Sequence, residues 1–138
     1  MLQRSISGPS FFLGTQTLRY VSKKLSGKQA NDYCKKHYGG SLVVVDSNAK
    51  RDQVAKIAKS DSVWIGLFER SDRKTWETPC GHVNRYQGWA KGQPQPEAVG
   101  AKEEDCAVQF KKFGNKWHDY PCKGFTYPFV CEVKSKHF

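Results

Sequence analysis

The sequence predicts an α+β domain: two helices packed on short antiparallel sheets, with a long irregular loop. Three observations carry that expectation. Two amphipathic stretches of helical periodicity lie between Ser26 and Ala58. Short apolar runs, too brief for helices, then follow from Val63 to Val133. Among these runs, Ala90 to Asp105 shows glycine and proline punctuation and no period. Helices segregated from strands give an α+β arrangement rather than alternating βαβ units. A loop that long in a small domain is usually functional or disordered.

The elements follow in order. Ser26 is a candidate N-cap, and Ala30, Tyr33, Cys34 and His37 recur on one helix face, which Gly39-Gly40 ends. On that pattern His37 faces inward, as a structural histidine. Leu42-Val43-Val44-Val45 is a β-branched run suited to a buried strand. Ser47 opens the second helix, with Val54, Ile57 and Ala58 inside and its lysines and Arg51 outside. Val63-Trp64-Ile65-Gly66-Leu67 and Thr75-Trp76 read as strands, and Tyr86 to Trp89 leads into the loop. Two late strands are expected at Cys106–Phe110 and Phe129–Val133. Trp64, Trp76, Trp89 and Trp117 are assigned to the core, as large rings in small domains mostly are.

Composition bounds the function. Of 138 residues, 38% are hydrophobic and 13% aromatic, which is enough for one compact core. No apolar run approaches the ~20 residues that span a bilayer. Phe11-Phe12-Leu13 is shorter than the ~7–15-residue core of a secretory leader, so the expectation is that a leader is already absent and Met1 is not the native start. The formal net charge of +10 attracts polyanions. The lysines come in scattered pairs, however, which equally describes a solvated surface. Five cysteines point to an oxidising compartment and a secreted, extracellular chain, for which nucleic acid is not an expected partner. No CxxC or CxxH pair seeds a zinc site. Five choices of the odd thiol and three pairings of the rest leave fifteen disulfide patterns that spacing does not separate. An enzyme is not expected: there is no G-x-S-x-G, H-E-x-x-H or glycine-rich phosphate loop. Glu103, Glu104 and Asp105 are consecutive, and neighbours on a strand face opposite ways.

Several landmarks then fall in a specific order. They are the helix carrying Cys34, Trp64-Ile65-Gly66-Leu67, the Trp76 strand, and Tyr86-Gln87-Gly88-Trp89-Ala90-Lys91-Gly92-Gln93-Pro94. Glu104-Asp105-Cys106, Trp117-His118-Asp119, Cys122 and Phe129-Val130-Cys131-Glu132 complete the set. Together they resemble the C-type lectin-like domain family, over nearly the whole chain. The resemblance implies that fold across residues 18–135, with an N-terminal extension at 1–17 and a tail at 136–138. It implies a bridge Cys34–Cys131 and a loop bridge Cys106–Cys122, worth about 4–5 and about 3 kcal/mol in the chain-entropy account. Cys80 is left over, either an inert turn thiol after Thr78-Pro79 or the link of an intermolecular disulfide dimer.

In sugar-binding members of the family, the long loop and the segment after the last tryptophan hold calcium and the sugar. Carried over, the resemblance implies carbohydrate contacts from Gln93, Gln95, Glu104, His118 and Asp119, calcium ligands from Gln93, Gln95, Glu104 and Asp119, and a cis peptide before Pro94. Calcium takes six to eight hard oxygen ligands. His118 stands where asparagine is usual, and imidazole nitrogen suits softer cations. Gln95 is one methylene longer than the residue expected there. Calcium affinity is therefore expected to be weak or absent at these five positions. Against that, Glu97, Glu103, Glu104 and Asp105 concentrate acid in the loop, with Lys102 its lone counter-charge. A second calcium site near Glu69 and Asp105 would meet Arg73 where another acid is needed. The leading Gln93 leans towards galactose. Two functions remain open: a glycan- or glycoprotein-binding module, with or without calcium, and a calcium-independent domain that binds protein, sulfated polysaccharide or another anionic partner through its lysines.

Overall fold

The structure, a computed structural model, describes residues 17–70, 75–94 and 105–133. Its order is strand β1 (Leu18–Leu25), helix α1 (Gly27–Tyr38), β2 (Ser41–Leu42), helix α2 (Asn48–Ile57), β3 (Ser62–Glu69), β4 (Trp76–Glu77), β5 (Asp105–Phe110), β6 (Lys116–Pro121) and β7 (Tyr127–Glu132). Where short antiparallel sheets are expected, one seven-stranded sheet forms, in the order β1-β7-β3-β5-β6, with β2 on β7 and β4 on β3. It is mixed, because β3 runs parallel to β7 while the other pairs are antiparallel. No helix among the described residues is long and apolar enough to cross a membrane.

Both helices start where their caps place them. The Ser26 hydroxyl accepts from the Gln29 N–H at 3.2 Å, and the Gln29 side-chain oxygen accepts from the Ser26 N–H at 3.4 Å, a complete capping box. Gly39 closes α1 at φ +65°, a left-handed conformation that costs glycine little. The Ser47 hydroxyl accepts from the Lys50 N–H at 3.1 Å to open α2. The inner stripe of α1 is Gly27, Ala30 and Cys34, and Gly27 is obligatory: a Cβ there would lie 2.8 Å from Cys106 Sγ. His37 does not belong to that stripe. Burial ends at Cys34, and the last turn exposes Lys35, Lys36 and His37, the imidazole stacking on Tyr33 one turn earlier at 4.1 Å.

The expected strand at Leu42–Val45 pairs only through Ser41 and Leu42. Beyond them the backbone bonds scatter. The Val43 N–H donates to the Val130 carbonyl, the Val43 carbonyl accepts from Gly66, and the Val44 N–H donates to the Glu132 carboxylate, which also pairs with Lys50 at 3.1 Å. Strand β1 had no clear pattern in sequence for a related reason. Leu18 and Val21 are buried on opposite faces, and a bulge between Val21 and Leu25 breaks the period of two.

The core lies on both faces of the sheet. One cluster gathers Val43, Val45, Val54, Val63, Ile65, Leu67, Ala107 and Trp117. The other gathers Ala30, Cys34, Trp64, Cys106, Val108, Phe110 and Phe129 beneath α1. Strands β3 and β5, central in the sheet, are therefore near-continuous apolar runs rather than alternating ones. Trp64, Trp76 and Trp117 are buried as expected, and Trp89 is partly buried. Two disulfides clasp this frame: Cys34–Cys131 across 97 residues and Cys106–Cys122 across 16.

Candidate functional site

The segment from Trp89 to Pro94, where the long loop begins, leaves the frame from a base of rings packed edge to face. Trp89 bridges to Trp117 in parallel, with the Trp117 N–H donating to the Gly88 carbonyl at 2.9 Å and the Ala90 N–H to the Trp117 carbonyl at 3.0 Å. The two indoles meet edge-on at 5.6 Å, with Trp76 4.7 Å from Trp89 and Tyr86 5.5 Å from Trp117. Gly88 permits this stack, because a Cβ there would sit 2.6 Å from the Trp117 indole. Two buried amides pin the base. Asn84 donates to the Val45 carbonyl at 3.1 Å and to the Tyr86 carbonyl at 3.3 Å. Gln109 accepts from the Trp117 indole N–H at 3.1 Å and donates to the Arg51 carbonyl at 3.1 Å. Asn84 and Gln109 were not singled out from sequence as parts of a site, and Gly88 stood only within a longer motif. The one available signal was Gln109, a polar residue inside an apolar run.

Above this base, the Gln93 N–H donates to the Ala90 carbonyl at 2.9 Å, and the Gln93–Pro94 peptide is cis, as the resemblance implied. Gln95 and Glu104 lie outside the described residues, as do Glu97, Glu103 and Arg73. The remaining two site positions sit side by side on β6 and part company there. In the β5–β6 register, His118 is opposite Val108 and Asp119 opposite Ala107, so their side chains project from opposite faces. Asp119 shares its face with Trp117 and the base of the loop, and it is engaged with other groups. His118 turns to the face beneath which α1 packs.

The surroundings of His118 are aromatic. Its ring lies 5.1 Å from Phe110 and 4.8 Å from Phe113, and its buried Nε2 has no hydrogen-bond partner. Burial lowers its pKa below the ordinary 6.5, the Asp119 charge opposes that, and the Lys112 charge adds to it. An imidazole nitrogen set against Phe110 and Phe113 does not fit a calcium ligand set, and Asp119 and His118 do not converge. Among the described residues no group of three or more His, Cys, Asp or Glu side chains gathers as a metal site. Glu69 and Asp105, considered for a second calcium, are buried at the ends of β3 and β5 and engaged in other interactions. Cys80 is the free cysteine; it is exposed, in a turn closed by the Gly81 N–H donating to the Thr78 carbonyl at 2.9 Å.

Comparison with known proteins agrees with this architecture. The Lectin C-type domain family model matches residues 23–133. The chain is 33% identical to snaclec echicetin subunit alpha of Echis carinatus sochureki, over 96% of this chain and 97% of that protein. It is 30% identical to one chain of the snaclec coagulation factor IX/factor X-binding protein of Protobothrops flavoviridis, over 77% of this chain and 67% of the relative. Among solved structures, human lithostathine superposes with a TM-score of 0.72 at 26% identity, covering 86% of this chain and 83% of that one.

Proposed function

The chain belongs to the C-type lectin domain family, and from that premise we propose that it is a secreted recognition module that engages an acidic partner, protein or sulfated glycan, without calcium at the family's usual position. The observation that carries the reading is the split of β6. His118, in the place of an oxygen donor, rests against Phe110 and Phe113 on the face away from Asp119. An imidazole supplies no hard oxygen to a cation that needs six to eight. The net charge of +10 supports an acidic partner. The name of one relative, a coagulation factor IX/factor X-binding protein, supports a protein as that partner. Two disulfides support an extracellular location, and the matched family, one of binding domains, supports a non-catalytic role.

A thermal-shift titration with calcium tests this. A ligand of the folded state raises the melting temperature according to RT ln(1 + [L]/Kd). The expected result is no shift at millimolar calcium and partner retention that survives chelator. A calcium-dependent rise of several degrees would overturn the reading in favour of the alternative.

That alternative is glycan binding through Gln93, Gln95, Glu104 and Asp119 with a calcium ion. It is favoured by one observation: Asp119 shares the face of Trp117, at the root of the segment that carries Gln93. Elution from immobilised galactose or mannose by chelator would support it. For assembly, the exposed thiol of Cys80 and the naming of the relatives as subunits support a disulfide-linked pair of chains. A doubling of mass on non-reducing gels, abolished by Cys80→Ser, is the expected signature.

A further inference from the structure

On the α1 side of the sheet lies a cleft that the loop base does not share. Its larger hollow, about 440 Å³, is lined by Ser26, Lys28, Gln29 and Asp32 on α1 and its cap, and by Lys123 and Thr126 on the segment between β6 and β7. A smaller hollow of about 260 Å³ continues from it past Lys28 and Asp32 to Asn31 and Lys35. The two walls are tied together. The Lys28 N–H donates to the Cys122 carbonyl at 3.4 Å, and the Cys106–Cys122 disulfide anchors the far wall to β5. The cleft is therefore covalently braced rather than a gap between loose loops.

Its chemistry is one-sided. Three ammonium groups, from Lys28, Lys35 and Lys123, line it against one carboxylate, Asp32. Lys50, by contrast, is neutralised by Glu132, Arg51 by Asp52 and Arg70 by Glu77, and none of the cleft's lysines joins an ion pair among the described residues. Neutral donors accompany the cations: the Gln29 amide N–H₂, whose oxygen is spent on the cap, and the Thr126 hydroxyl. The segment that forms the far wall also presents Phe125, 44% exposed and packed on Tyr120 at 5.4 Å.

We infer that this cleft binds a sulfated saccharide, with Lys28, Lys35 and Lys123 taking sulfate oxygens and Asp32 accepting from a sugar hydroxyl. A polyanion without hydroxyl groups would satisfy the lysines and leave Asp32 opposed to it. A neutral sugar would leave three cations unused. A sulfated sugar ring matches both halves of the lining, and the combined space falls in the range of small-ligand pockets. The inference deepens the anionic-partner form of the reading above by giving it a place, and it is independent of the loop and of calcium.

The test is isothermal titration of the whole chain with a heparin-derived hexasaccharide at two salt concentrations. It compares the parent, Lys28→Glu/Lys123→Glu, and a control pair at exposed lysines elsewhere, Lys24→Glu/Lys59→Glu. Both pairs change net charge equally, and equal melting temperatures would show that both fold. The cleft pair is expected to lose roughly tenfold or more in affinity with a shallower salt dependence, the control pair only a few-fold. Amide shifts of the parent on binding are expected at Lys28, Gln29 and Lys123 to Thr126. Equal losses in both pairs would overturn the cleft while leaving an acidic partner in place, and absence of binding by the parent would overturn the saccharide and its cleft, leaving an acidic protein partner to the chelator-resistant retention test. Equally tight binding of inorganic polyphosphate, weakened by the same pair, would overturn the saccharide assignment.

Discussion

The two flanks of the sheet are held in different ways. On the β1–β7 flank, the first and last described strands pair from Leu18–Glu132 onward, and Cys34–Cys131 ties α1 to β7 across 97 residues. On the β5–β6 flank the chain is local. A hairpin with six matched pairs is closed by Cys106–Cys122 across 16 residues, and rings and single amides complete it. The first flank is a closure and the second a platform. Loop-closure entropy makes the first clasp more valuable, while the two proposed recognition surfaces, the loop base and the α1 cleft, border the second.

The largest test of that contrast is to cut each clasp separately. Cys34→Ala/Cys131→Ala is expected to destabilise by about 4–5 kcal/mol and Cys106→Ala/Cys122→Ala by about 3 kcal/mol, read by denaturant unfolding. The first loss should be global and the second sharper in hydrogen exchange at β6 and the cleft wall. Equal costs with identical exchange patterns would erase the distinction between the flanks.

A smaller effect probes the platform alone. Gly88→Ala forces a methyl group into the Trp117 indole and is expected to cost about 1–3 kcal/mol. It should also quench or shift tryptophan fluorescence as the Trp89–Trp117 pair separates, with exchange at β1 and β7 altered only through global stability.

The smallest effect is electrostatic. The pKa of His118 is lowered in the folded chain, so between that value and 6.5 the unfolded chain binds more protons. The stability that the neutral imidazole contributes is complete above pH 6.5 and is lost as pH falls through the folded pKa. His118→Phe, which suits the ring cluster of Phe110 and Phe113, is expected to flatten this acid limb while leaving stability at pH 8 nearly unchanged. An unaltered limb would mean that the His118 imidazole is not desolvated by Phe110 and Phe113.

Much of the frame was legible residue by residue. Ser26 with Gln29 and Ser47 with Lys50 are short-range devices, and both helices start on them. Continuous apolar runs marked β3 and β5 because burial on both faces leaves no polar alternation. The disulfide pairing became readable only through family resemblance, since fifteen patterns fit the spacing alone. What escaped depended on distant partners: β1 with its bulge, the parallel β3–β7 pair, the end of β2 at Leu42, and the exposure of His37 beyond the last buried turn of α1. At the site, the residue types at positions 93, 118 and 119 were visible at once. The direction each β6 side chain takes was not.

From its sequence alone, this chain was determined to be one disulfide-clasped α+β lectin-type frame, because caps, apolar runs and cysteine positions act over a few residues or are shared with its family. Which side chains meet was decided only by the tertiary structure. Strand register, set by pairing between distant segments, sends His118 to one face and Asp119 to the other. The same long-range packing brings lysines from α1 and from the segment after Cys122, nearly a hundred positions away, around a single cleft.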